Sequence, residues 1–76
     1  MNIRDKIFEI VEQSEESGDV ECKEVIEDML IENGINKYNV SIDDMFDSPG
    51  YDVYSVTVAW IENDILELAV SSIGIG

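Results

Sequence analysis

Apolar residues in the first third of the chain recur at helical spacing. Ile3, Ile7, Phe8, Ile10 and Val11 share one side of a 3.6-residue period, predicting an amphipathic helix from about Asn2 to about Glu16. Asn2 suits the N-cap, with Asp5 placed to complete a box-like cap. Ser17-Gly18 ends the helix, because glycine accepts the left-handed conformation common after a last turn. A second stripe, Cys22, Val25, Ile26, Met29 and Leu30, predicts a helix from about Asp19 to Asn33. Asp19 or Ser17 can cap its start. Asn33-Gly34 closes it, with Ile35 as the apolar residue that often follows such a stop. So short a link makes the two helices a hairpin or an angled pair.

After Gly34 the period changes to two. Tyr38, Val40 and Ile42 alternate with polar residues and predict a first strand. Asp43 to Gly50 reads as a connector, and Ser48-Pro49-Gly50 is a turn signal. A second strand is expected from about Tyr51 to Ile61, with Tyr54, Val56, Val58 and Trp60 on one face. A third is expected from about Ile65 to Ile73, with Leu66, Leu68 and Val70 on one face. A three-residue loop, Glu62-Asn63-Asp64, pairs Trp60 with Leu66, Val58 with Leu68 and Val56 with Val70. A two-residue loop would set Trp60 opposite Glu67 and mix the faces, so the longer loop is expected.

These elements predict a single α+β domain over residues 1–76, in the order ααβββ: two helices packed on a three-stranded antiparallel sheet. The helices would cover Tyr38, Val40, Ile42, Val56, Val58, Trp60, Leu66 and Leu68. The opposite sheet face would carry Glu67 as its single acid. Its residues Val53, Thr57, Ala59, Ile61, Ile65, Ala69 and Ile73 are candidate contacts of a homodimer. A core drawn from 76 residues is small, which favours such an assembly.

Charge changes the picture most. The chain has 18 Asp+Glu against 4 Lys+Arg and no histidine, for a net charge of −14. Arg4, Lys6, Lys23 and Lys37 are scattered, so no basic patch exists to neutralise nucleic-acid phosphates or meet an anionic membrane. At 45% hydrophobic residues the chain is too apolar to be disordered. No apolar run approaches the roughly 20 residues of a membrane span. Met1 to Asp5 turns polar too soon for a secretory signal. One cysteine, Cys22, makes no internal disulfide and points to a cytoplasmic protein.

Catalytic motifs are missing: there is no phosphate loop, no cysteine pair and no nucleophile beside a base. The expectation is a protein that is not an enzyme and uses no cofactor. Asp43, Asp44, Asp47 and Asp52 cluster around a glycine-containing turn, but their spacing lacks the closing glutamate of a calcium loop, so no metal site is assigned. Cys22 sits on an apolar stripe and reads as a small core residue. Trp60, Met29 and Met45 read as packing residues. The acids on the helices are more informative. Glu9, Glu12 and Glu16 share one side of the first helix. Glu21, Glu24 and Asp28 share one side of the second, and Glu27 widens that band. Neighbours at these spacings lie roughly 5–6 Å apart, comparable in density to phosphates along a DNA strand.

In size, charge and these acidic helices, the chain resembles the small acidic phage-encoded DNA-mimic proteins. That group includes inhibitors of histone-like HU proteins and of CRISPR effectors. The resemblance implies a non-catalytic inhibitor in the host-cell cytoplasm. Its partner would be a basic DNA- or RNA-binding protein whose nucleic-acid surface it blocks. Contacts would come from Glu9, Glu12, Glu16, Glu21, Glu24, Glu27 and Asp28, with Asp43, Asp44, Asp47 and Asp52 as a second band. Two other readings fit the charge: an acidic immunity protein or antitoxin that neutralises a basic nuclease toxin, and a small adaptor domain kept soluble by its acids.

Overall fold

The Asn2 side chain accepts a hydrogen bond from the Asp5 backbone N–H at 2.8 Å, and helix α1 (Ile3–Ser17) starts there. The computed structural model describes residues 2–18, 21–48 and 50–75, with the backbone alone described at 46–48 and 51. Gly18, at φ 72°, ends α1 in the left-handed conformation that glycine adopts without strain. Helix α2 (Lys23–Glu32) is shorter than expected at its start. Ser17 does not cap it, since its hydroxyl bonds back to the Ser14 carbonyl, and Asp19 lies outside the described residues. At its end, Gly34 N–H bonds to the Ile31 carbonyl and Ile35 N–H to the Leu30 carbonyl. This Schellman closure buries Ile35 and Leu30 together.

Three antiparallel strands follow: β1 (Tyr38–Ser48), β2 (Tyr51–Glu62) and β3 (Ile65–Ile75), in spatial order β1-β2-β3. The predicted ααβββ order is the observed one. The connector expected over residues 43–50 is mostly strand. Residues 43–48 continue the ladder with β2, with a bulge between Asp44 and Phe46 that leaves Met45 as the extra residue. Of the predicted turn, Pro49 lies outside the described residues.

The β2–β3 register corrects the expected one. Trp60 faces Glu67, Val58 faces Ala69 and Val56 faces Ser71. The loop is the two residues Asn63 and Asp64, both left-handed at φ 54° and 64°. That is the geometry of a type I′ turn, whose twist matches the flanking strands and which Asn and Asp tolerate well. The one-residue difference turns all of β3 over. Ala69 and Ile73 enter the core, while Leu66, Leu68 and Val70 are 72%, 52% and 59% exposed on the other side.

The core lies between the helices and one sheet face. Ile3, Ile7 and Val11 of α1 and Ile26 and Leu30 of α2, with Cys22, meet Val40, Val56, Val58, Trp60, Ala69 and Ile73. Each large side chain buried there contributes roughly 1.5–3 kcal/mol by leaving water. Val25, expected in the stripe of α2, is 53% exposed, because it lies about 100° around the helix from Ile26. Helix α1 lies over β3 and α2 over β1, running antiparallel, with Lys6 Nζ bonded to Asn33 Oδ1 at 2.9 Å.

Candidate functional site

Placing Ile3, Ile7 and Val11 on the sheet fixes where the acids of α1 must go. At 3.6 residues per turn, Glu9, Glu12 and Glu16 fall within about 40° of the direction opposite Ile7. All three are exposed. Burying Ile26 and Leu30 does the same for α2, turning Glu24 and Asp28 outward, with Glu21 exposed just before the helix. Glu27 is half-buried at the flank. The two rows therefore share one surface, the side of the molecule away from the sheet. Glu9, Glu12, Glu16, Glu24 and Asp28 have no ion-pair partner among the described residues.

Local energetics oppose this arrangement. Like charges three or four residues apart destabilise a helix by a few tenths of a kcal/mol per pair. Neither helix has a basic residue in its last turn, where the helix dipole favours one. Glu15 and Glu16 stand at the end of α1, and Glu32 ends α2. Two exposed apolar side chains, Val25 and Ile31 at 53% and 56%, stand among the acids of α2. Sequence periodicity put Val25 inside and did not single out Ile31. Only the position of the helix on the sheet reveals that both are available for contact.

The second acidic band is split between the two sheet faces, with Asp43 at an outer-face position and Asp44 and Asp52 at positions of the helix-side face. Asp43 faces Ser55 and Asp44 faces Tyr54 in consecutive ladder rungs, so their side chains leave opposite faces of the sheet. Asp47 pairs with Asp52 across the hairpin; the Asp47 side chain lies outside the described set. Among the described residues, no three His, Cys, Asp or Glu side chains converge as metal ligands would.

Arg4 deals with the acid that the register places on the helix side. Its Nη2 meets Glu67 Oε2 at 3.2 Å, its Nη1 donates to the Leu68 carbonyl at 2.6 Å, and its guanidinium stands 5.7 Å from the Trp60 ring centroid. Trp60 Nε1 donates to Glu62 Oε1 at 3.1 Å. At the other end of α1, Glu15 Oε2 accepts from Gly74 N–H at 2.8 Å. Leu68 and Gly74 both direct backbone groups away from β2, so α1 occupies the open edge of β3 at two points. Open strand edges invite pairing with other chains, and these bonds blunt that tendency.

On the outer sheet face, Ile61 pairs with Leu66, Ala59 with Leu68 and Thr57 with Val70. Those three rows form an apolar patch. Of the dimer contacts expected from sequence, Val53, Thr57, Ala59 and Ile61 have this face's parity. Ala69 and Ile73 do not, being 2% and 0% exposed in the core, and Ile65 has the helix-side parity next to the turn. No family model, curated protein or solved structure matches the chain.

Proposed function

We propose that this protein binds a basic nucleic-acid-binding protein through its helical side, occupies the surface that DNA or RNA would use, and performs no catalysis. The observation that carries this reading is the segregation of charge. A solubilising coat would spread over the molecule, and first over Leu66, Leu68 and Val70. Instead, Glu9, Glu12, Glu16, Glu21, Glu24 and Asp28 gather on the opposite side, at a cost to helix stability. Two adjacent helices then present parallel rows of carboxylates to a partner rich in lysine and arginine. Long-range attraction accelerates the encounter, and raising salt screens it.

Val25 and Ile31 favour a narrower version, in which one partner of defined shape receives them as apolar anchors. A nuclease toxin neutralised by this chain would be such a partner. Affinity capture from lysate separates the versions: nucleoid proteins or CRISPR effectors support nucleic-acid mimicry, and a single cognate nuclease supports immunity. In either case the charge-reversed protein Glu9→Lys, Glu12→Lys, Glu16→Lys should lose the captured partner. Equal capture by both proteins would refute the assignment to the helical side.

A further inference from the structure

We infer that the outer sheet face docks a second copy of this chain, face to face, with the strands of the two copies antiparallel. Four large apolar side chains on this face, Ile61, Leu66, Leu68 and Val70, are 41–72% exposed. A cluster of that kind on a strongly charged chain marks a contact surface. The face also has a charge pattern that suits itself. Lys37 stands at one end, where its carbonyl accepts from Ile61 N–H, and Asp43 at the other, opposite Ser55.

A two-fold axis lying across the strands, between the Ala59–Leu68 and Thr57–Val70 rows, reverses those ends. Each Lys37 then faces Asp43 of the second copy, and each Leu68 meets Val70 of the second copy. The net charge of −14 is no barrier in this arrangement. Sheets packed face to face lie about 10 Å apart, and each helix layer adds roughly another 10 Å. The acidic rows of the two copies are thus held on the order of 30 Å apart, several times the Debye length of about 8 Å at physiological salt.

The three-stranded face measures roughly 33 by 14 Å in plane, and its corrugated accessible area is larger. That places the contact below the standard specific interface, which buries about 800 Å² per partner, so a weak dimer that forms only at high protein concentration is expected. The inference does not depend on what the helical side binds.

Sedimentation of the full chain tests it. The wild type should run at twice its 8.5 kDa mass at concentrations of about 1 mM and dissociate on dilution. Leu68→Lys should run at the single mass with an unchanged circular dichroism spectrum, since Arg4 bonds the Leu68 backbone and not its side chain. Val70→Asp is the second variant should the first misfold. Lys37→Asp or Asp43→Lys alone should weaken the dimer up to about tenfold, as two exposed ion pairs become repulsive, and the two together should restore it. A wild type at the single mass at 1 mM, or dimers that survive Leu68→Lys and Val70→Asp, would overturn the proposal. Failure of the charge swap to restore association would overturn the antiparallel arrangement.

Discussion

The helical side of the molecule exposes Glu9, Glu12, Glu16, Glu21, Glu24 and Asp28, whereas the described strand positions of the outer sheet side hold Asp43 as their one acid. The sheet side exposes Leu66, Leu68 and Val70 instead. The net charge of −14 is therefore a property of one surface more than of the whole chain. Composition alone suggests a molecule repellent on all sides. The fold makes one that is strongly electrostatic toward one neighbour and apolar toward another.

Both surfaces depend on the layer between them, and Trp60 is its largest fully buried side chain. Trp60→Ala should destabilise the fold by about 3–5 kcal/mol. A domain of this length has roughly 4–11 kcal/mol in total, so chemical denaturation should show a mostly lost or barely stable fold. A loss below 1 kcal/mol would mean that the two sides do not share this core. A smaller effect is expected at Arg4, which joins the helix layer to the edge of the sheet. Arg4→Ala should cost about 1–2 kcal/mol, combining a half-exposed ion pair, a ring contact and a charge-assisted bond. Arg4→Lys should recover only part of it, because an ammonium cannot meet Glu67, the Leu68 carbonyl and Trp60 with one planar fork.

The length of the β2–β3 turn decides which residues of β3 face out. Asp64→Gly should stabilise the protein by several tenths to about 1 kcal/mol, because glycine holds a positive φ without strain in the type I′ turn. Asn63→Gly should show a gain of the same sign, which a three-residue loop, left-handed only at its last residue, would not. Smallest of all, Leu66→Ser should change monomer stability by no more than about 0.5 kcal/mol, as expected of an exposed site. Were Leu66 packed under the helices, the same change would cost several kcal/mol. This small number decides the register.

The helices and all their ends but the start of α2 were legible in the sequence because their signals are local: a capping Asn2, a Gly18 stop and a Gly34-Ile35 closure each act within a few residues. The β3 register was not. Matching Trp60 with Leu66 satisfied the apolar pattern, but the turn preference of Asn63-Asp64 prevailed. The acid this set beside Trp60 is held by Arg4, a residue 63 positions earlier that no local pattern connects to it. The acid-rich stretch 43–48 has the sequence of a connector for a related reason, since its strand conformation comes from pairing with β2 and not from its own residues. The acidic rows of the candidate site followed directly from their spacing. Val25 and Ile31 did not, because their exposure depends on how α2 is rotated on the sheet.

The claim that the helical side competes with nucleic acid is tested most directly by titrating the captured partner, bound to a labelled DNA or RNA duplex, with this protein over a range of salt concentrations. The label should be displaced completely at low salt, with an apparent affinity that falls steeply as salt rises, and displacement should be lost when Glu9, Glu12 and Glu16 are reversed to lysine. A ternary complex in which the partner holds the duplex and this protein together, at any salt concentration, would contradict it.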